Sequence, residues 1–125
     1  MQELKQILEE LGIPIAYSHF NTTITPPVIA YYRNSTANFG ADNMVYQKIE
    51  QYYVELYTKY KDTAMEHRLE RIFDEHEIYY NVESESYIDT EQMYQIIYTI
   101  DIDETNKDIE TEAEVYIAAE GNINQ

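Results

Sequence analysis

The clearest pattern of apolar and polar positions lies between residues 45 and 60, where most side chains are β-branched or aromatic. Such residues favour the pleated surface of a β-strand. Within this stretch the side chains alternate in period two, which places successive residues on opposite faces. One face receives Tyr52, Val54, Leu56 and Thr58, and the other receives Tyr53, Glu55, Tyr57 and Lys59. The pattern predicts a long strand with two chemically different faces.

A helix is predicted directly after this strand. Asp62 is a residue type that caps helices, and Thr63 followed by Glu66 three residues later fits a capping box. Behind the cap, apolar residues recur at the spacing of one helical stripe, which His76 continues. The stripe consists of Met65, Leu69, Ile72 and Phe73. We therefore expect a helix over residues 62–77 that folds back on the strand.

Shorter patterns predict the remaining elements. These are, in chain order, a helix over residues 2–11, a short extended segment over 13–20, and strands over 28–33, 78–82 and 92–102. Gly12 suits the left-handed end of the first helix, and Pro26-Pro27 indicates a loop. Turn residues between 34 and 43 predict an antiparallel hairpin of strands 28–33 and 44–60. The segment Glu83–Glu91 is expected to be a polar connection.

The order helix, two strands, helix, two strands predicts an α+β fold. We expect an antiparallel sheet of about four strands with two helices packed on one face, in the order α-β-β-α-β-β. Residues 1–103 are predicted to form this single domain, because the core pattern fades after Asp103. Residues 104–125 are predicted to be an acidic C-terminal extension, either a solvated tail or an edge strand.

The sheet face away from the helices is predicted to be an assembly surface. Tyr53, Tyr57, Met93 and Ile97 fall on this face, and together they are too apolar for an ordinary solvated surface. The hairpin tip is a second candidate contact, because it places an aromatic residue in a turn. The tip residues that we predict to reach a neighbouring subunit are Asn38 and Phe39.

Composition narrows the possible partners. The chain has 125 residues, with 24 acidic and 8 basic side chains and a formal net charge of −16. This charge argues against binding to nucleic acid or to an anionic membrane. No apolar run approaches the length needed to span a membrane, and the N-terminus lacks the basic and apolar regions of a signal peptide, so we expect a protein of intracellular origin. The 14 tyrosines suit half-buried surfaces and interfaces, although they are equally ordinary strand residues.

The sequence contains no constellation typical of an enzyme. There is no cysteine, and the three histidines are His19, His67 and His76. The last two lie nine residues apart on one helix, too far to share a metal ion as i, i+4 partners do. The stretch Asp101 to Glu104 resembles a calcium loop only superficially, because it lacks the turn glycine and the final glutamate. We therefore predict no catalytic, cofactor-binding or metal-binding residues.

Several short stretches between residues 2 and 103 form a recognisable set. They are Pro26-Pro27, Tyr31-Tyr32, Asn38 to Asn43, Val45-Tyr46, Tyr52 to Thr58, Lys61-Asp62, Tyr87-Ile88 and Glu91 to Tyr94. In these stretches the chain resembles small tail-completion proteins of long-tailed phages and prophages of Gram-positive hosts, and the similarity covers roughly residues 2–103.

The resemblance implies a tail terminator, also called a tail-to-head joining protein, at the head–tail junction of a virion made in the host cytoplasm. Its expected partners are other copies of itself in a homohexameric ring, the tail tube protein and the head connector protein. A monomer in solution is compatible with this role, because the tail tube can template the ring. The alternative is an acidic DNA mimic that inhibits a host nuclease or regulator. A small hydrolase is disfavoured by the missing catalytic constellation.

Overall fold

The computed structural model describes residues 3–20, 25–36, 39–41 and 44–103. Within these ranges the chain forms two helices and seven strands. In chain order they are α1 (Leu4–Glu9), β1 (Ile15–Tyr17), β2 (Val28–Thr36), β3 (Phe39–Ala41), β4 (Met44–Gln47), β5 (Ile49–Thr58), α2 (Thr63–Glu75), β6 (Tyr79–Ile88) and β7 (Met93–Asp103).

Five of the strands form one sheet in the order β1-β2-β5-β7-β6, and β3 pairs with β4 in a separate two-stranded sheet. β1 runs parallel to β2, whereas the other neighbours in the large sheet are antiparallel. The predicted α+β class is confirmed. The predicted four-stranded antiparallel sheet and its α-β-β-α-β-β order are wrong in detail, because the short strand β1 adds a parallel edge and makes the sheet mixed.

The predicted helix after the central strand is present as α2. The Asp62 carboxylate caps it by accepting a 3.0 Å hydrogen bond from the backbone N–H of Met65. Thr63 is the first helical residue and not the cap. At the other end, the His76 ring nitrogen Nε2 lies 2.8 Å from Glu10 Oε2, which joins the ends of the two helices. His76 is half-buried and caps the C-terminal end of α2.

The core lies between the two helices and one face of the large sheet. The stripe residues Leu69 and Phe73 are fully buried, and so are Val54 and Leu56 of β5. In β7, the Tyr98 hydroxyl donates a 2.7 Å hydrogen bond to Glu70 Oε2 on α2, so this core ring also carries a polar contact to the helix. The period-two assignment of β5 is thus confirmed, with Val54 and Leu56 on the helix-covered face.

The first helix ends at Glu9, two residues before the end predicted from the sequence. The left-handed conformation predicted for Gly12 is confirmed, because its φ is +81°, which glycine adopts without a steric penalty. Within the helix, Leu4, Ile7 and Leu8 are buried against the core. The left-handed turn directs the chain away from α1 toward β1.

The long strand β6 differs from the expectation. Residues Glu83–Ile88, predicted as part of a polar connection, continue the strand and pair with β7. Only the short turn at residues 89–92 connects the two strands. Most side chains of β6 are exposed, so this edge strand shows no apolar alternation. Its hydrogen bonds to β7 define it as a strand.

The predicted antiparallel pairing of the strands at 28–33 and 44–60 is confirmed by β2 and β5. The second of these is not continuous, because Lys48 separates β4 from β5. The predicted extension at residues 104–125 lies outside the described residues. Across the described ranges, neither helix has the length and apolar character needed to cross a membrane.

Candidate functional site: the outer face of the sheet

We use the term outer face for the side of the large sheet that points away from α1 and α2. The four predicted interface residues of the sheet, Tyr53, Tyr57, Met93 and Ile97, all lie on it. In β5 they alternate with buried Val54 and Leu56, and in β7 with buried Ile96 and Tyr98. The four side chains are half-buried in the single chain. The sequence pattern therefore assigned the correct face.

The four residues lie on β5 and β7, which are adjacent strands inside the large sheet. Glu55 of β5 lies opposite Ile97 of β7, and Tyr57 lies opposite Gln95. On the other side of β5, Tyr53 pairs with Tyr32 of β2, and the two ring centroids are 5.3 Å apart at an angle of 46°. The centre of the outer face is therefore a continuous patch of aromatic and aliphatic side chains around one carboxylate.

That carboxylate belongs to Glu55, and two tyrosines hold it. The Tyr32 hydroxyl donates a 2.9 Å hydrogen bond to Oε2, and the Tyr57 hydroxyl donates a 2.7 Å bond to Oε1. The Gln95 amide in turn donates a 2.7 Å bond to the Tyr57 hydroxyl. These hydrogen bonds link side chains of β2, β5 and β7 across the outer face.

The tyrosine pKa values reflect this arrangement. Burial, followed by the hydrogen bond to Glu55, raises the pKa of Tyr32 to about 12. Burial and the same carboxylate also raise the pKa of Tyr57 far above its usual range, against a smaller opposing effect of the Gln95 amide. Both hydroxyls therefore keep their protons at neutral pH and remain donors to Glu55.

Glu55 has no basic partner within the described part of the chain. Its two hydrogen bonds come from neutral tyrosine hydroxyls, which leaves its negative charge uncompensated. Sequence reasoning placed Glu55 on this face but gave it no role. The sequence feature that could have indicated a role for Glu55 is its position between Tyr53 and Tyr57, each two residues away on the same face.

A cavity of about 600 Å³ opens beside this carboxylate. Its floor includes Val28 and Ala30 of β2, which are buried although they belong to the outer face. Its rim includes residues 18–20 of the connection between β1 and β2, so this connection lies over one end of the outer face. Sequence reasoning missed the cavity, because the packing of this connection on the sheet leaves no periodic pattern.

The opposite end of the outer face is polar. The Asn34 amide donates a 2.7 Å hydrogen bond to the side-chain oxygen of Gln51. The Gln51 amide donates a 3.2 Å bond to Asp101 Oδ1 of β7. This row of polar contacts borders the aromatic patch on the side away from the cavity.

The second predicted contact, the hairpin tip, is not brought to this surface by the described residues. Phe39 begins β3, which pairs only with β4 in the small sheet. Asn38 and the side chain of Phe39 lie outside the described part of the chain. The tip therefore remains a prediction.

Three tyrosines of the large sheet are more than half exposed: Tyr17 of β1 at 57%, and Tyr79 and Tyr87 of β6 at 64% and 51%. Tyr79 lies opposite Asp101 and therefore on the outer face, at its polar end, whereas Tyr17 and Tyr87 lie on the helix side. None of the three was predicted to be an interface residue. Among the described residues, no group of three or more histidines and carboxylates is arranged to hold a metal ion.

Comparison with known protein families and with curated proteins finds no match to this sequence.

Proposed function

We propose that this chain is a structural phage protein that terminates the tail tube and joins tail to head as a homo-oligomeric ring. The observation that carries the proposal is the outer face, which has an apolar and aromatic centre on the side of the sheet away from α1 and α2. The resemblance of residues 2–103 to tail-completion proteins supports the same role.

The outer face suits a protein–protein contact in its composition. Interfaces are enriched in tyrosine and methionine. Tyrosine gives a large contact area at a low cost in conformational entropy, and methionine adapts its shape to the partner. Here Tyr53, Tyr57, Met93 and Ile97 supply that area. The hydrogen bonds of Tyr57 to Glu55 and Gln95 hold its ring before any partner binds.

A ring needs two different patches on each subunit, because its contacts run head to tail and must close. We propose that the outer face is one patch. The hairpin tip with Asn38 and Phe39 is the second. Six copies joined in this way would stack on the last ring of the tail tube and present the opposite surface to the head connector.

The net charge of −16 supports a ring through which DNA passes. An acidic lumen repels phosphates, so DNA can pass without being held. The same charge would serve a DNA mimic, which is the alternative function. A mimic needs carboxylates presented as a row on one face, whereas the outer face carries aromatic residues at its centre.

The test is to stop translation of the gene early in the phage or prophage that carries it, and to examine the lysate by electron microscopy. The proposal predicts filled heads and separate tails, and it predicts joined particles again when the intact gene is supplied from a plasmid. Normal joined particles without the protein would exclude the proposed function. A loss of infectivity with normal virions and degraded phage DNA would instead favour the DNA mimic.

A further inference from the structure

The cavity beside Glu55 combines features that recognise a positively charged side chain. Its lining includes the apolar residues Val28 and Ala30, together with Tyr57 and Met93. Two carboxylates, Glu55 and Glu91, line the same space. The volume of about 600 Å³ is ample for one large side chain.

The Glu55 carboxylate has free acceptor capacity. Each carboxylate oxygen has two lone pairs, and each oxygen here accepts one tyrosine hydroxyl, from Tyr32 or from Tyr57. One acceptor site per oxygen therefore remains. Two parallel N–H groups can occupy these sites together, which is the geometry of an arginine guanidinium on a carboxylate.

No lysine or arginine of the described chain lines this cavity, and the described side chains that hydrogen-bond Glu55 are neutral tyrosines. His19 also lines the cavity, but its ring contacts the Ser18 hydroxyl and not Glu55. A partner that covered the outer face without a cation would bury this charge unpaired, which is strongly unfavourable. A surface that brings a positive group to Glu55 is therefore favoured over one that does not.

The walls of the cavity favour arginine over lysine. A guanidinium is planar, weakly hydrated and stacks on aromatic rings, and Tyr57 offers such a ring next to the carboxylate. The aliphatic stem of arginine can pack on the apolar floor while its charged end meets Glu55 and Glu91. Lysine has the same charge but only a point contact with the carboxylate.

We propose that this cavity is a socket for an arginine side chain on a partner protein. The inference goes beyond the proposed virion role and does not depend on it, because it rests on the cavity and on the chemistry of Glu55. It also gives the outer face a specific contact: an arginine pairs with Glu55 while the surrounding aromatic patch packs against the rest of the partner.

The first test is a titration of the intact chain with N-acetyl-arginine N-methylamide, followed by NMR of labelled tyrosine rings and methionine methyl groups. We expect saturable shifts at Tyr57 and Met93. The citrulline analogue has nearly the same shape without the charge, and it should cause no saturable shift. The lysine analogue should bind more weakly than arginine. Equal binding of arginine and citrulline, or shifts scattered over other acidic regions, would refute the socket.

The second test compares two variants that lose one negative charge each. Glu55→Gln should weaken binding of the arginine probe by about tenfold or more, since a hydrogen bond to a charged group is lost. Glu83→Gln, on exposed β6, is the matched control and should leave the affinity unchanged. Equal affinity of Glu55→Gln and the unaltered chain would contradict the proposal. If Glu55→Gln disturbs the fold, two other results test the socket. Glu91→Gln should weaken binding of the arginine probe, and citrulline should not bind; unchanged affinity of Glu91→Gln together with binding of citrulline would contradict the proposal.

Discussion

The Tyr57 hydroxyl donates a 2.7 Å hydrogen bond to the carboxylate of Glu55, two residues earlier on the same strand. Residues i and i+2 of a strand share a face, so this contact lies entirely on the outer face. Because Tyr32 binds the other carboxylate oxygen, one acidic side chain positions two aromatic rings on neighbouring strands. The outer face is therefore an ordered surface before any partner binds.

The first prediction concerns the pKa of Tyr32, which burial and Glu55 raise to about 12. Glu55→Gln removes the negative charge and should lower this pKa, although burial still holds it above its usual value of 10.0. NMR of tyrosine labelled at the ring carbon that bears the hydroxyl measures it directly. Glu83→Gln is the control, and it should leave the titration of Tyr32 unchanged.

The same shift predicts how stability depends on pH. Below the unfolded pKa of 10.0, Tyr32 is protonated in both states and its contribution to stability is complete. Between 10.0 and about 12 the unfolded chain ionises first, so the free energy of unfolding falls as the pH rises. Urea unfolding across this range should give a smaller loss of stability for Glu55→Gln than for the unaltered chain. An identical loss in both would contradict the role of Glu55.

A second prediction tests the packing of α2 on the sheet. Leu69 is fully buried, so Leu69→Ala should lower the free energy of unfolding by about 2–5 kcal/mol through lost contacts and a cavity. Arg71→Ala on the exposed side of the same helix is the control, and it should have little effect. An unchanged denaturant midpoint for Leu69→Ala would show that α2 does not pack as described.

A third prediction concerns the ion pairs around Lys61. Its ammonium group lies 2.7 Å from Glu66 Oε1 and 2.8 Å from Glu85 Oε2. Glu66 is buried, and its second carboxylate oxygen has no hydrogen-bond partner among the described residues. Lys61→Met should therefore destabilise the fold by roughly 1–3 kcal/mol, because it leaves a buried carboxylate without its cation.

The double variant Lys61→Met, Glu66→Gln should be more stable than Lys61→Met alone, because the unpaired charge is gone. Thermal unfolding of the two single variants and the double variant gives the coupling between the two side chains. Additive effects would show that the short contact between Lys61 and Glu66 contributes no coupling to stability.

A fourth prediction is that the chain does not bind duplex DNA at physiological salt. The reason is the net charge of −16, with only 8 basic side chains in the whole sequence. A gel-shift assay at micromolar protein should show free DNA at every concentration. Retarded DNA under these conditions would contradict the proposal that DNA passes this protein without being held.

Much of the fold was predictable because its central elements have strong local signals. The alternation from Tyr52 to Thr58 identified both faces of β5, and the stripe from Met65 to Phe73 identified α2. β1 gave no such signal, because three residues are too few to show a period and its parallel pairing with β2 joins distant parts of the chain. β6 was missed beyond Val82 because an exposed edge strand does not need apolar alternation.

The candidate site was predictable only in part, because some of its features are local and others depend on tertiary contacts. The period of two placed Tyr53 and Tyr57 on the outer face, since side-chain direction in a strand is a local property. It could not show that Tyr32 and Gln95 from neighbouring strands complete a network around Glu55, because those contacts depend on strand register. The cavity depends on a loop packing against the sheet, which is a tertiary contact.

The central claim is that the outer face is the assembly surface. Tyr53→Thr combined with Ile97→Thr removes apolar contact area there, while β-branched threonine preserves the preference for a strand. The control is Tyr60→Thr with Tyr87→Thr, which changes two exposed tyrosines: Tyr60 lies beyond the end of β5, and Tyr87 lies opposite Tyr94 on the helix side of the sheet. Circular dichroism and thermal unfolding should first show that both double variants remain folded.

The deciding measurement is the number of tails joined to filled heads when each variant is supplied to a phage that lacks the gene. The account predicts that the variant with Tyr53→Thr and Ile97→Thr leaves heads and tails separate, whereas the control restores joined particles. Joined particles at the normal level with a folded outer-face variant would contradict the claim that this face assembles the ring.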